Sequence, residues 1–143
     1  MNTQPANPLP PVAPGIFTLP PYDGKPPELL GGYCPVCRKH FFPRPAYCTK
    51  CIGSVNEATL GSEGVIYSFT VIRTKAPLGL PEPYSVGYID LTQTKLRVFC
   101  LLDPKTIDEL RVGLPVRLSV EPLGNDNNGN PCLRPYFSPL KKN

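Results

Sequence analysis

The sequence predicts a mainly β protein in three parts: a proline-rich extended arm over residues 1–31, a cysteine-bearing segment and connector over 32–60, and a small five-stranded barrel with one short helix over 61–143. Three observations carry this expectation. Nine of the 21 prolines fall within the first 27 residues. Four of the six cysteines are packed into residues 34–51 as two Cys-x-x-Cys pairs. Beyond residue 61, β-branched and aromatic runs alternate with turn-forming residues, which is the pattern of short strands.

The arm comes first. Pro8-Leu9-Pro10-Pro11, Leu19-Pro20-Pro21 and Lys25-Pro26-Pro27 restrict φ and remove amide donors, so polyproline II or irregular coil is expected. Val12, Ile16, Phe17, Leu19 and Tyr22 are interleaved with the prolines. That is more apolar than a solvated tail, and the arm is expected to lie on another surface, its own or a partner's. A single helical turn at Glu28-Leu29-Leu30, stopped by Gly31-Gly32, is expected at its end.

Five strands are expected in the last part, over 65–73, 84–91, 95–102, 116–121 and 133–137, with Thr92-Gln93-Thr94 as the turn between the second and third. After the third, Asp103 suits an N-cap, Pro104 a first turn and Gly113 a C-terminal stop, with Ile107, Leu110 and the stem of Arg111 on one face. Residues 124–130 form a polar Gly/Asn loop between the last two strands. Three strands, a short helix and two more strands is the order of the OB-fold barrel; another small barrel or sandwich is the alternative.

The cysteine spacing is Cys34-x2-Cys37, ten residues, Cys48-x2-Cys51. Two such pairs can face each other as knuckles around one tetrahedral ion, a rubredoxin-like zinc ribbon. Four soft thiolates suit Zn2+, and a closed shell leaves no position for substrate. One structural zinc per chain is expected, on Cys34, Cys37, Cys48 and Cys51. Iron in the same shell would make a small redox protein instead, and colour distinguishes the two.

Arg38, Lys39, His40, Arg44 and Lys50 surround the ligands, with no carboxylate between Tyr33 and Ile52. These cations either offset the formal −2 of a four-thiolate zinc or make an anion site, for which Arg44 is the best donor, flanked by Arg38 and Lys39. His40, the single histidine, is expected to be exposed in a loop. Cys100 and Cys132 read as buried small hydrophobes. No catalytic residue is assigned: there is no Ser-His-Asp set, no paired-carboxylate motif and no glycine-rich phosphate loop. Tyr67, Phe69, Tyr84, Tyr88 and Phe99 are candidates for a stacking face on a barrel, although core packing is expected for most of them.

A net charge of +4 and a pI of about 8.8 permit phosphate contact without demanding nucleic acid. No apolar run approaches the roughly 18 residues of a membrane span. Met1-Asn2-Thr3-Gln4-Pro5 has neither a positive nor an apolar leader region, so a reducing cytoplasmic location is expected.

Taken together, Gly32-Tyr33-Cys34-Pro35-Val36-Cys37, Phe41-Phe42-Pro43-Arg44-Pro45, Cys48-Thr49-Lys50-Cys51, the run Gly61-Ser62-Glu63-Gly64-Val65-Ile66-Tyr67-Ser68-Phe69-Thr70-Val71-Ile72-Arg73, and Val112-Gly113-Leu114-Pro115-Val116 resemble one family. It is the family of zinc-ribbon plus OB-fold proteins that accompany thiolases and related acyl-CoA enzymes in bacteria and archaea. Gly15-Ile16-Phe17 also looks like the family's leader. The linker over 53–60 lacks the usual Gly/Ser richness, and the arm is longer than usual. The resemblance implies a non-catalytic accessory subunit in a hetero-oligomer with a thiolase-fold catalytic subunit, or with a hydratase. It also implies that CoA or acyl-CoA is a ligand of the complex, with Arg44 near its phosphates. A single-stranded nucleic-acid-binding module is the alternative function, disfavoured by the modest charge.

Overall fold

The structure, a computed structural model, describes residues 9–140. The parts of the expected arm and barrel at 1–8 and 141–143 lie outside the described residues. Among the described residues eight strands form two sheets. A three-stranded sheet has the order β2-β1-β3, with β1 at Leu29–Cys34, β2 at Lys39–Phe41 and β3 at Asn56–Gly61. The other five close into a barrel in the order β4-β5-β6-β8-β7. They are β4 (Glu63–Ile72), β5 (Tyr84–Leu91), β6 (Arg97–Leu102), β7 (Pro115–Asn125) and β8 (Pro131–Pro139). Closure comes from the antiparallel pairing of β4 with β7, Gly64 opposite Val116, and one parallel contact of β6 with β8, Leu102 opposite Phe137. This is the OB-fold topology that the element order predicts.

The barrel core is built from alternate residues, because a strand presents successive side chains to opposite faces. Ile66 of β4, Ile89 and Leu91 of β5, Val98 and Leu102 of β6, Val116 and Leu118 of β7, and Phe137 of β8 point inward and are buried. Gly64 allows β4 to bend closely over β5: a Cβ there would meet Ile89 Cγ2 at 2.6 Å and Asp90 O at 2.7 Å. Leu29 of β1 and Leu60 of β3 belong to this same core. The small sheet therefore packs on the barrel through these two side chains.

Three local expectations are corrected. Glu28-Leu29-Leu30 is not a helical turn, because Leu29 opens β1. Gly31 and Gly32 are sites of close approach within that strand: a Cβ on Gly31 would meet Phe41 O and the Leu60 side chain, and one on Gly32 would meet Val55 and Arg44. The helix is a 3-10 helix at Pro104–Glu109, capped by the Asp103 carboxylate accepting the Lys105 amide at 2.9 Å. It ends at extended Leu110, short of Gly113, which turns the chain into β7 with φ near +90°. Of its expected apolar face, Leu110 packs on the core. The polar loop is tighter than expected, because β7 and β8 extend into it and the Asp126 carboxylate gathers the amides of Asn128 and Asn130 at 2.9 and 3.0 Å.

The arm lies on the chain's own surface. Val12 N–H donates to Leu133 O and Leu133 N–H to Pro10 O, both at 2.8 Å, which adds the arm to the free side of β8. Leu30 N–H donates to Ile16 O and Thr18 N–H to Glu28 O, both at 2.9 Å, placing buried Phe17 opposite Leu29. The arm thus stitches the barrel to the small sheet. No helix among the described residues is long and apolar enough to cross a membrane.

Candidate metal centre and its surroundings

The end of β1 and the segments that follow form two matching knuckles. In the first, Cys37 N–H donates to Cys34 Sγ at 3.4 Å and Arg38 N–H to Cys34 O at 2.7 Å. In the second, Lys50 N–H donates to Cys48 Sγ at 3.4 Å and Ile52 N–H to Cys48 O at 2.9 Å, while Gly53 N–H donates to Cys51 Sγ at 3.4 Å. The residue after each second cysteine, Arg38 or Ile52, sits in the left-handed region at φ 56° and 63°. Such turns aim both sulfurs of a pair to one side, and the amide donors stabilise thiolate charge.

The knuckles bring the four sulfurs within 4.8 Å of one another. Cys34 and Cys51 are 3.5 Å apart, Cys37 and Cys48 3.8 Å. A tetrahedron with Zn–S bonds of about 2.3 Å has edges of about 3.8 Å, so the donor set fits zinc. Cys34 and Cys48 are fully buried, Cys37 half-buried, and Cys51 lies at the rim. In the folded knuckles the surroundings pull the thiols in opposite directions. The backbone amides of Cys51 and Lys50 hold Cys48 down at about 6. Desolvation and the neighbouring thiols push Cys37 up to about 12.

The structure distributes the basic residues unevenly. Arg38 and Lys39 are exposed on the first knuckle and Lys50 on the second. Arg44 is turned toward the sheet. Its Nε and Nη2 donate to Val55 O at 3.0 and 2.8 Å, and its stem lies over Gly32. It ties the loop after β2 to the entrance of β3. None of the four forms an ion pair among the described residues. His40 is not in a loop: it lies in β2, half-buried, its ring 4.7 Å from that of Tyr33 across the β1–β2 pair. Cys100 and Cys132 are buried as expected, and burial pushes the Cys100 thiol up to about 12.

Sequence reasoning underestimated the outer face of the barrel. Tyr67, Tyr88 and Phe99 are 51%, 46% and 56% exposed and do not pack in the core; Phe69 and Tyr84 are half-buried. Tyr88 stands opposite Phe99 with ring centroids 5.1 Å apart, and the Arg97 guanidinium lies 3.4 Å above the Tyr67 ring. Asp90 faces Arg97 across the same strands in a bidentate pair, at 2.6 and 3.1 Å, which holds the Asp90 carboxyl below its usual range. The alternation of Val98, Cys100 and Leu102 against Arg97 and Phe99 carried the signal for this face.

A closed four-cysteine ribbon joined to an OB barrel defines a zinc-ribbon/OB-fold protein, and the four close cysteines fit a structural zinc. Known proteins place it further. A family model described as the rubredoxin-like zinc ribbon domain of ChsH2 matches residues 23–57, and one described as the ChsH2 C-terminal OB-fold domain matches 57–121. The benzoylsuccinyl-CoA thiolase subunit BbsA of Thauera aromatica is 33% identical over 118 residues, spanning 82% of this chain and 80% of the relative. The chain belongs to the ChsH2/BbsA family of zinc-ribbon and OB-fold proteins. A solved structure titled Ltp2-ChsH2(DUF35) aldolase shares the fold, with a TM-score of 0.62 at 24% identity over 78% of this chain and 84% of that one.

Proposed function

We propose that this chain is a non-catalytic accessory subunit of a thiolase-type acyl-CoA enzyme, docking on the catalytic subunit in a hetero-oligomer and helping to shape its CoA or acyl-CoA channel. The relationship to a thiolase subunit over four-fifths of both chains is the observation that carries this reading. The closed four-thiolate site supports it, because such a shell offers no open position for substrate. The exposed aromatic face supports it too, since Tyr, Phe and Arg at a surface are the side chains that protein interfaces concentrate. Thiolysis or condensation would run on the partner's residues. Arg38 and Lys39 are exposed on the ribbon and would meet CoA phosphates. Arg44 would contribute the guanidinium N–H groups that Val55 O leaves free.

Mixing the zinc-loaded chain with a thiolase-fold subunit encoded by a neighbouring gene tests this. A hetero-oligomer is expected on size-exclusion chromatography, with turnover in the complex and none in this chain alone. Absence of a complex, together with an unchanged KM of the partner for acyl-CoA, would reject the reading. Within the complex, Arg44→Ala is expected to weaken CoA binding with zinc content unchanged; unchanged CoA affinity would remove Arg44 from the phosphate role.

A second reading rests on the same aromatic face: OB barrels bind single strands by stacking bases on such residues. Asp90 in the middle of that face, neutralising Arg97, weighs against it. Steeply salt-dependent binding of single-stranded DNA would favour it.

A further inference from the structure

A groove of about 330 Å3 opens where the arm, the small sheet and the barrel meet. Val12 and Ile16 of the arm, Phe42 after β2, Leu80 of the β4–β5 loop, and Phe99 and Leu101 of β6 line it. Its volume is in the range that holds small organic ligands. Its wall is apolar with one exception, Arg134 of β8.

Arg134 is only 7% exposed. Its Nη1 donates to Leu123 O at 3.2 Å and its Nη2 to Asn125 O at 3.0 Å. Both acceptors are neutral carbonyls. The ion pairs among the described residues are Arg97–Asp90, Lys105–Glu121 and Arg117–Glu63, and Arg134 is in none of them. Every other charged side chain of comparable burial has an obvious duty: the Asp103 carboxylate caps the 3-10 helix and accepts from Ser138. Glu121 stands opposite Arg134 on β7, but its carboxylate accepts from Tyr136 and pairs with Lys105, so the buried guanidinium is hydrogen-bonded to neutral groups alone. Among the described residues Nη1 and Nη2 of Arg134 have acceptors and Nε has none, so Nε keeps a hydrogen to donate.

We infer that the groove binds a small anionic amphiphile, an aryl or medium-chain acid whose apolar body lies on Phe99, Leu101, Val12 and Ile16 and whose carboxylate pairs with Arg134. Charge and shape both select it. The groove supplies apolar contact along its length and one cation in its wall, in a low-dielectric setting where a charge-assisted hydrogen bond is strong. A purely structural duty, pinning the β7–β8 hairpin through two carbonyls, predicts no preference for an acid over a neutral analogue. This inference does not depend on the accessory-subunit reading.

The test titrates 4-phenylbutyrate and its neutral amide into the zinc-loaded full chain, followed by assigned amide NMR shifts. Saturable binding of the acid is expected, with shifts centred on Val12, Phe99, Leu101 and Arg134, and the amide weaker by about tenfold. Arg134→Gln is expected to abolish that preference. Because it also loosens the hairpin, Phe99→Ala at the open rim serves as a second variant and is expected to weaken both ligands severalfold. Equal affinity for acid and amide, shifts centred on another face, or no saturable shift up to about 10 mM would overturn the inference.

Discussion

Stripping zinc from the ribbon is the sharpest probe of what the metal does. The buried cluster around the site consists of Cys34, Cys48 and Val55, with Cys37 and Phe41 partly covering it. Val55 is the one fully buried member that is not a ligand, and burying such a side chain contributes about 1.5–3 kcal/mol. Structural zinc in comparable small domains contributes roughly 10–16 kcal/mol near neutral pH. The metal therefore outweighs the apolar core of the ribbon severalfold, and the knuckles should not survive its removal. The barrel core, led by Phe137, Ile66, Ile89 and Leu118, takes only Leu29 and Leu60 from the small sheet and should survive. The assay is amide hydrogen exchange before and after chelation, with released zinc counted colorimetrically. One zinc per chain is expected. Protection should vanish at Arg38, Lys50, Ile52 and Gly53, whose amides close the knuckles, and persist at Ile66 and along β5–β6. Knuckle amides that stay protected in the metal-free chain would refute the reasoning, as would loss of barrel protection to the same extent.

Thiol labelling should divide the cysteines in two. After chelation the four ribbon thiols are expected to react with a disulfide reagent at pH 8, while buried Cys100 and Cys132 react only on denaturation. Burial raises the Cys100 pKa to about 12 and so suppresses its thiolate at pH 8; fast reaction of all six would contradict this. Gly31→Ala should destabilise the chain by about 1–3 kcal/mol in chemical denaturation, because its Cβ would be driven against the Phe41 carbonyl and 2.7 Å from Leu60 Cδ1. Phe137→Ala, at the largest fully buried side chain, should cost about 3–5 kcal/mol. An unchanged denaturation midpoint in either variant would show that the packing described around it is wrong.

The barrel was legible in the sequence because its strands are β-branched runs broken by strong turn residues, and because its helix position is diagnostic. The ligand set was legible because metal coordination demands fixed residue types at fixed spacing. The three strands of the small sheet were not. Leu29-Leu30-Gly31-Gly32 has the look of a helix end, but its glycines exist for contacts made by Phe41, Leu60 and Val55, residues 10 to 30 positions away, which no local pattern reveals. β3 is exposed over Asn56 and Glu57, and only its end, at Leu60 and Gly61, is buried. Arg44 was legible as a cation but not as a clamp, since its acceptor is a backbone carbonyl and leaves no trace in residue type. The outward turn of Tyr67, Tyr88 and Phe99 follows from strand period, but large aromatics carry a strong prior for burial that here misleads.

Leu29 and Leu60 enter the barrel's core from the small sheet, and the arm is hydrogen-bonded to both bodies. The 53–60 segment is thus no tether on which a zinc module swings. Ribbon and barrel present themselves to any third body at one fixed angle, as the two arms of a bracket do. A bracket of that kind loses little conformational freedom when it is seated, so even modest contacts on each arm add to a firm attachment. It also means that lengthening the connector, harmless in a flexible linker, would here pull two side chains out of a shared interior.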